Sequence, residues 1–123
     1  MSSRTILVVD DDDVLCRMIR RGLEPLGYKV EALDATEPTL RRFSEGGVDA
    51  VLLDLLLGRE SGLEVLRLIR KEGGTPVFLM TGTVVDNEME KYVRAIGAQG
   101  IFRKPFEFAE LAAQLKGVLE GGG

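Results

Sequence analysis

Asp49-Ala50-Val51-Leu52-Leu53-Asp54 is the stretch on which the fold turns. From Ala50 to Leu53 the run is apolar without polar alternation, and it ends in a carboxylate. A short apolar run of this kind is the pattern of a strand covered on both faces. The residues that follow, Leu55-Leu56-Leu57-Gly58-Arg59-Glu60-Ser61-Gly62, lose strand character halfway, and Gly58 and Gly62 punctuate them as a loop. Asp54 therefore sits where a central strand runs out. In open α/β sheets that carboxyl edge is where ligands bind. Taken alone, Asp54 reads more simply as a strand-end cap. Its companions at the other strand ends change that reading.

Upstream, Thr5 to Asp10 is a first strand, with Ile6-Leu7-Val8-Val9 apolar throughout. Asp10 to Asp13 follow, and the last of them suit the positive end of a helix dipole. Val14, Leu15, Met18, Ile19, Leu23 and Leu26 then recur at helical spacing until Pro25 and Gly27 end the helix. Tyr28 to Leu33 is a second strand, nearer an edge because Glu31 interrupts it. Thr36 to Ser44 is a short helix, with Thr36 as its N-cap and Pro38 in its first turn. Downstream, Ser61 caps a helix running to about Lys71, and Pro76 to Met80 is a fourth strand ending at Thr81-Gly82. Asp86 to Ile96 is a more polar helix, Gly100 to Arg103 a fifth strand, and Glu107 to Leu119 the last helix. The pattern is βα repeated, which predicts a parallel sheet with helices on both faces.

The 123 residues suffice for one domain, here 1–120, with 121–123 a flexible glycine tail or the start of a linker. Sixteen basic against twenty acidic residues give a net charge of −4, which argues against nucleic acid or an anionic membrane as a direct partner. No apolar run reaches the length of a membrane span, and Met1 to Arg4 lack the layout of a signal peptide. A lone Cys16 cannot form an internal disulfide, which fits a reducing cytoplasm and a small apolar helix residue. Histidine is absent, so His-based triads, His metal sites and imidazole acid–base chemistry are excluded.

The strand ends form a constellation. The first strand delivers Asp10 and Asp11, the third Asp54, the fourth Thr81 followed by Gly82, and the fifth Lys104 followed by Pro105. Carboxylates brought this close repel, and one would be driven to keep its proton. A hard divalent cation removes the conflict, and Mg²⁺ is typically held by one or two carboxylates plus phosphate oxygens. Lys104 suits a phosphoryl oxygen as a point charge, Thr81 can donate a hydrogen bond, and Gly82 leaves room for an incoming group. These parts suit phosphoryl transfer to a carboxylate.

Ile6-Leu7-Val8-Val9-Asp10-Asp11-Asp12, Asp54 with its Leu57-to-Gly62 loop, Thr81-Gly82 and Lys104-Pro105-Phe106 together resemble the receiver domain of bacterial two-component response regulators. The resemblance runs from Ile6 to about Leu119. It implies a flavodoxin-like sheet in the order 2-1-3-4-5. It also implies that a histidine kinase or phosphotransfer protein phosphorylates Asp54. Asp10, Asp11, Asp54 and the backbone carbonyl of Leu56 would hold Mg²⁺, while Thr81 and Lys104 contact the phosphoryl group. Catalysis would be confined to Mg²⁺-dependent self-phosphorylation and self-dephosphorylation. Expected partners are a downstream protein target or a fused output domain, and a second copy bound through the fourth helix, fifth strand and fifth helix. The chain departs from the common pattern at Gly58, where a proline is usual and a looser loop is expected. It departs again at Leu56, where many relatives are polar, and at Ile101, where a switch aromatic is common. Strand alternation places Ile101 toward the polar helix and Phe102 on the other face.

Other classes share parts of the pattern. A pseudo-receiver would use the same fold to bind protein without phosphorylation, but intact Asp10, Asp11, Asp54, Thr81 and Lys104 argue against it. A phosphohydrolase with an aspartyl nucleophile wants an Asp-x-Asp arrangement, which Asp54-Leu55-Leu56 lacks. A flavin binder wants a hydroxyl-rich phosphate loop after the first strand, where this chain places four aspartates.

Overall fold

Ile6, Leu7, Val8 and Val9 are all inaccessible to solvent, and so are Val51, Leu52 and Leu53. Successive strand side chains point to opposite faces. Strands buried at every position must therefore be covered on both sides. In the computed structural model, which describes residues 3–120, that cover is helical. The tail 121–123 expected to be flexible lies outside the described residues.

The elements are β1 (Thr5–Val9), α1 (Asp13–Leu23), β2 (Lys29–Leu33), α2 (Thr36–Ser44) and β3 (Ala50–Asp54). They continue with α3 (Gly62–Glu72), β4 (Val77–Thr81), α4 (Asn87–Ala95), β5 (Gly100–Arg103) and α5 (Phe108–Leu119). A short 3₁₀ turn, Glu24–Leu26, follows α1. The five strands are parallel in the order β2-β1-β3-β4-β5, the flavodoxin-like order, with Val8 between Ala32 and Leu52.

Alternation sorts the core into two halves. On one face Ile6, Val8, Leu52, Phe78 and Phe102 pack against Ile19 and Leu23 of α1 and Leu111 and Leu115 of α5. On the other, Leu7, Val9, Val51, Leu53 and Leu79 pack against Val65, Leu66 and Ile69 of α3 and Val93 of α4. Each such fully buried aliphatic side chain contributes roughly 1.5–3 kcal/mol of transfer free energy. Ile101 is half-buried in the second half with Val93 and Ile96, and so faces α4. Phe102 lies on the opposite face, its ring centroid 5.7 Å from Phe78 and 5.5 Å from Phe106. Among the described residues no helix is long and apolar enough to cross a membrane.

Three of the five helices start on a local side-chain cap. Asp12 caps α1 by accepting from Leu15 N–H at 3.1 Å, Ser61 caps α3 from Leu63 N–H at 3.2 Å, and Asp86 caps α4 from Met89 N–H at 2.8 Å. Thr36 does not cap α2. It is the first helical residue, Ala35 stands at the cap without a side-chain bond, and Thr36 N–H donates instead to Glu60 Oε1 at 3.1 Å. A carboxylate from the distant β3–α3 loop thus meets the positive end of α2, which relieves Thr36 of the capping role.

The edge strand β2 is fastened to α2 by a two-point contact. Arg42 Nε donates to Glu31 Oε1 at 2.8 Å and Nη2 to Oε2 at 3.1 Å, with both side chains mostly covered. The bond from Arg42 holds the Glu31 carboxyl below the usual glutamate range, against a smaller opposing effect of burial. A lowered folded-state pKa stabilises the fold above the unfolded value and ceases to do so as pH falls through the folded one. Glu31→Gln is expected to cost about 1 kcal/mol at pH 7. The deficit should shrink below about pH 4.3, the ordinary glutamate value, and vanish in stronger acid. Urea denaturation of both proteins at several pH values checks this; a deficit that persists at pH 2 would refute it.

Candidate functional site

β1 and β3 are neighbours in register, Val9 beside Leu53, so Asp10 and Asp54 leave the same sheet edge side by side. Both carboxylates are almost inaccessible, at 2% and 7% exposure, while Asp11 is exposed. One ligand oxygen each from Asp10, Asp11 and Asp54 gather within 4.8 Å of one another.

Each carboxylate has a distinct set of partners. Asp10 Oδ1 accepts from Asp12 N–H at 2.9 Å, and Asp54 Oδ1 from Leu56 N–H at 3.0 Å. Their other oxygens share one ammonium. Lys104 follows β5, and its backbone N–H donates to the Thr81 carbonyl at 2.7 Å. From there its side chain reaches across, so that Nζ donates to Asp10 Oδ2 at 2.7 Å and to Asp54 Oδ2 at 3.0 Å. The Lys104–Pro105 peptide is cis.

Three carboxylates around one ammonium leave the cluster net negative, and protons respond accordingly. Burial pushes the Asp10 carboxyl above its ordinary range; bonds from Lys104 and Asp12 N–H offset this in part, and the nearby Asp54 charge adds to it. Burial opposes the charge on Lys104, but its bonds to Asp10 and Asp54 prevail and raise its pKa. Cys16 lies just beneath, its thiol donating to the Asp10 carbonyl at 3.5 Å. Burial and the aspartates push that thiol up to about 11, so it stays protonated and inert at neutral pH.

The β3–α3 loop is tied to this cluster. Leu56–Leu57 and Glu60–Ser61 form a small antiparallel ribbon where irregular loop was expected. Gly58, at its turn, has φ +61° and donates its N–H to Asp11 Oδ2 at 3.1 Å. Proline could supply neither that φ nor an N–H. The exchange for glycine therefore anchors the loop to the acidic cluster, where a looser loop was expected. Gly62 closes the loop: a Cβ there would lie 2.1 Å from the Asp54 carbonyl oxygen, so only glycine lets α3 begin against the end of β3.

Thr81 is buried at the end of β4 with its hydroxyl turned to its own loop. Its Oγ accepts Thr83 N–H at 3.1 Å and lies 2.9 Å from Thr83 Oγ. The structure thus joins Asp10, Asp54 and Lys104 by direct bonds, sets Asp11 within 4.8 Å of the other two carboxylates, and keeps Thr81 beside them with other partners. Leu56 enters through its N–H and leaves its side chain 55% exposed. The Thr83 contact to Thr81 is one that the Thr-x-Thr pattern after a strand signals, as a recognisable hydroxyl turn. The donor set, carboxylate oxygens with one exposed member, fits a hard divalent cation.

A parallel flavodoxin-like sheet with an acidic cluster and a lysine at its carboxyl edge defines a class of switch domain. The chain belongs to the response regulator receiver domain family, whose model matches residues 6–116. It is 38% identical over 125 residues to the uncharacterized transcriptional regulatory protein YkoG of Bacillus subtilis, covering all of this chain and 54% of that protein. The chain spans about half the length of the curated relatives it matches. Among solved structures, the beryllofluoride-activated DrrB receiver domain is 32% identical with a TM-score of 0.85, over 97% of this chain and 99% of that one. A CheY-like receiver domain protein from Methanospirillum hungatei is 26% identical with a TM-score of 0.89, over 98% and 96% of the two chains. The chain is a receiver domain of two-component response regulators.

The shared ammonium generates a stability prediction. Lys104→Ala should leave two buried carboxylates facing each other and cost about 3 kcal/mol at pH 7. Adding Asp10→Asn should return part of that loss. Melting curves of the three proteins decide, and a Lys104→Ala protein as stable as wild type would show that the bridge does not support the fold.

Proposed function

We propose that Asp54 accepts a phosphoryl group from a histidine kinase or phosphotransfer protein in a Mg²⁺-dependent reaction. The observation that carries this reading is the convergence of Lys104 Nζ and the aspartate trio on one buried carboxylate at the sheet edge. An Asp54 carboxylate oxygen attacks phosphorus, an O–P bond forms, and the P–N bond to the donor imidazole breaks with its electron pair leaving on nitrogen. Lys104 exchanges a carboxylate for a phosphoryl oxygen, and Thr81 turns its hydroxyl toward the same group. Asp10, Asp11, Asp54 and the Leu56 carbonyl would hold Mg²⁺, which supplies charge neutralisation at the phosphoryl oxygens. Acetyl phosphate would serve as a small-molecule donor, and water would later return the aspartate. Beyond this self-directed chemistry the domain is no enzyme in our reading.

The donor would approach beside Lys104, where an apolar hollow of about 390 Å³ opens between Leu15, Met18, Pro105 and Phe106. Val14 and Met18 are exposed at its rim. Output would pass to a fused domain or a separate protein in the cytoplasm, consistent with relatives about twice as long. A second copy would meet the α4, β5 and α5 face, where a half-buried Glu90 pairs with the exposed Arg94 at 3.8 Å and with the exposed Arg103 at 3.2 Å, an arrangement that can trade partners.

Incubation with acetyl phosphate and Mg²⁺, borohydride trapping and peptide mass mapping are expected to place the label on Asp54 alone. A label on Asp10 or Asp11 in the wild-type protein would overturn the assignment. Calorimetric titration is expected to show Mg²⁺ binding by wild type and at least a tenfold loss in Asp11→Asn. Without metal the same variant should melt roughly 3 °C higher, because one of the crowded charges is gone and Asn can still accept from Gly58. Equal Mg²⁺ affinity in the two proteins would sink the metal assignment.

A further inference from the structure

Thr81 has one hydroxyl hydrogen to give. The side chain is 1% exposed, and both of its hydroxyl contacts are to Thr83: the backbone N–H at 3.1 Å and Oγ at 2.9 Å. Among the described residues the hydrogen bonds to the Asp54 carboxylate come from Leu56 N–H and Lys104, and none comes from Thr81. The Thr81 hydroxyl is thus next to the site and turned from it. Thr83 is exposed, as are its neighbours Gly82 and Val84, the latter at 98%. Its side chain belongs to neither half of the core. The Thr81 contact is the hydrogen bond the structure gives its hydroxyl.

We propose that Thr83 is a positioning residue that sets the resting state of this domain: its hydroxyl holds Thr81 turned toward the β4–α4 loop and competes with a phosphoryl oxygen for the Thr81 hydroxyl. The proposal rests on the phosphoacceptor reading of Asp54. Thr81 is β-branched and occupies discrete χ1 wells, so its hydroxyl is either on Thr83 or toward Asp54 and not shared between them. Binding at Asp54 that needs the Thr81 hydroxyl must first break the Thr83 contact. A ligand that selects the less populated arrangement binds more weakly in proportion to that population. Removing the Thr83 hydroxyl therefore strengthens binding, although Thr83 itself lies outside the carboxylate cluster.

The test uses Thr83→Val, which keeps the branched shape and the backbone N–H, and Thr83→Ser, which keeps the hydroxyl. The probe is beryllofluoride with Mg²⁺, followed by titration. Loss of one neutral hydrogen bond corresponds to about fivefold tighter binding in Thr83→Val, with Thr83→Ser within twofold of wild type. Methyl NMR of the ligand-free proteins supplies an independent readout. Three-bond couplings of the Thr81 methyl should report one rotamer in wild type and Thr83→Ser, and averaging in Thr83→Val. Unchanged or weaker beryllofluoride binding in Thr83→Val overturns the proposal, as do unchanged Thr81 couplings. A wild-type protein that takes up no beryllofluoride overturns the phosphoacceptor reading and this proposal with it, whereas uptake with equal affinities overturns the Thr83 assignment alone.

Discussion

The functional edge of this protein depends on one ammonium group serving two buried carboxylates. Asp10 and Asp54 come from adjacent strands of a sheet that is dry on both faces, so neither can use bulk water to disperse its charge. Lys104 Nζ bridges them, and it can do so because β4 alone separates β5 from β3. The same contact orders the cost of change at the site. A ligand that takes Lys104 away from the carboxylates must bring compensating positive charge of its own, or the pair is left uncompensated in a poorly solvated place. This couples anion and cation binding at the edge by electrostatics alone.

Much of the fold was legible because the decisive strands are buried on both faces, which writes unbroken apolar runs such as Ile6 to Val9 and Val51 to Leu53. Caps provided by the chain a few residues away, at Asp12 and Ser61, were legible for the same reason of locality. The α2 start was misread because its stabilising carboxylate, Glu60, is 24 residues away. A threonine before a helix looks like a cap unless a remote group has taken the task.

The candidate site divides along the same line. Its membership could be read from which residues end strands, since topology brings those ends together. Its wiring could not. That Lys104 spans two aspartates, that Asp11 takes the N–H of Gly58, and that the Thr81 hydroxyl belongs to Thr83 are matters of side-chain direction and loop closure. The Gly58 case shows the reason sharply. A missing proline suggests slack, but the left-handed φ it permits is what aims an N–H at a carboxylate.

The β3–α3 connection is held at four places within seven residues: Leu56 N–H on Asp54, Gly58 N–H on Asp11, Glu60 on the first turn of α2, and Gly62 against the Asp54 carbonyl. Such a segment has no spare length. The Gly46-Gly47 and Gly73-Gly74 connections at the opposite end of the sheet have open space around them. Evolutionary or engineered insertions should therefore accumulate at those distal turns, and reporter peptides or affinity tags spliced there should leave the carboxylate edge undisturbed. At the β3–α3 connection a single added residue would shift every later anchor out of phase.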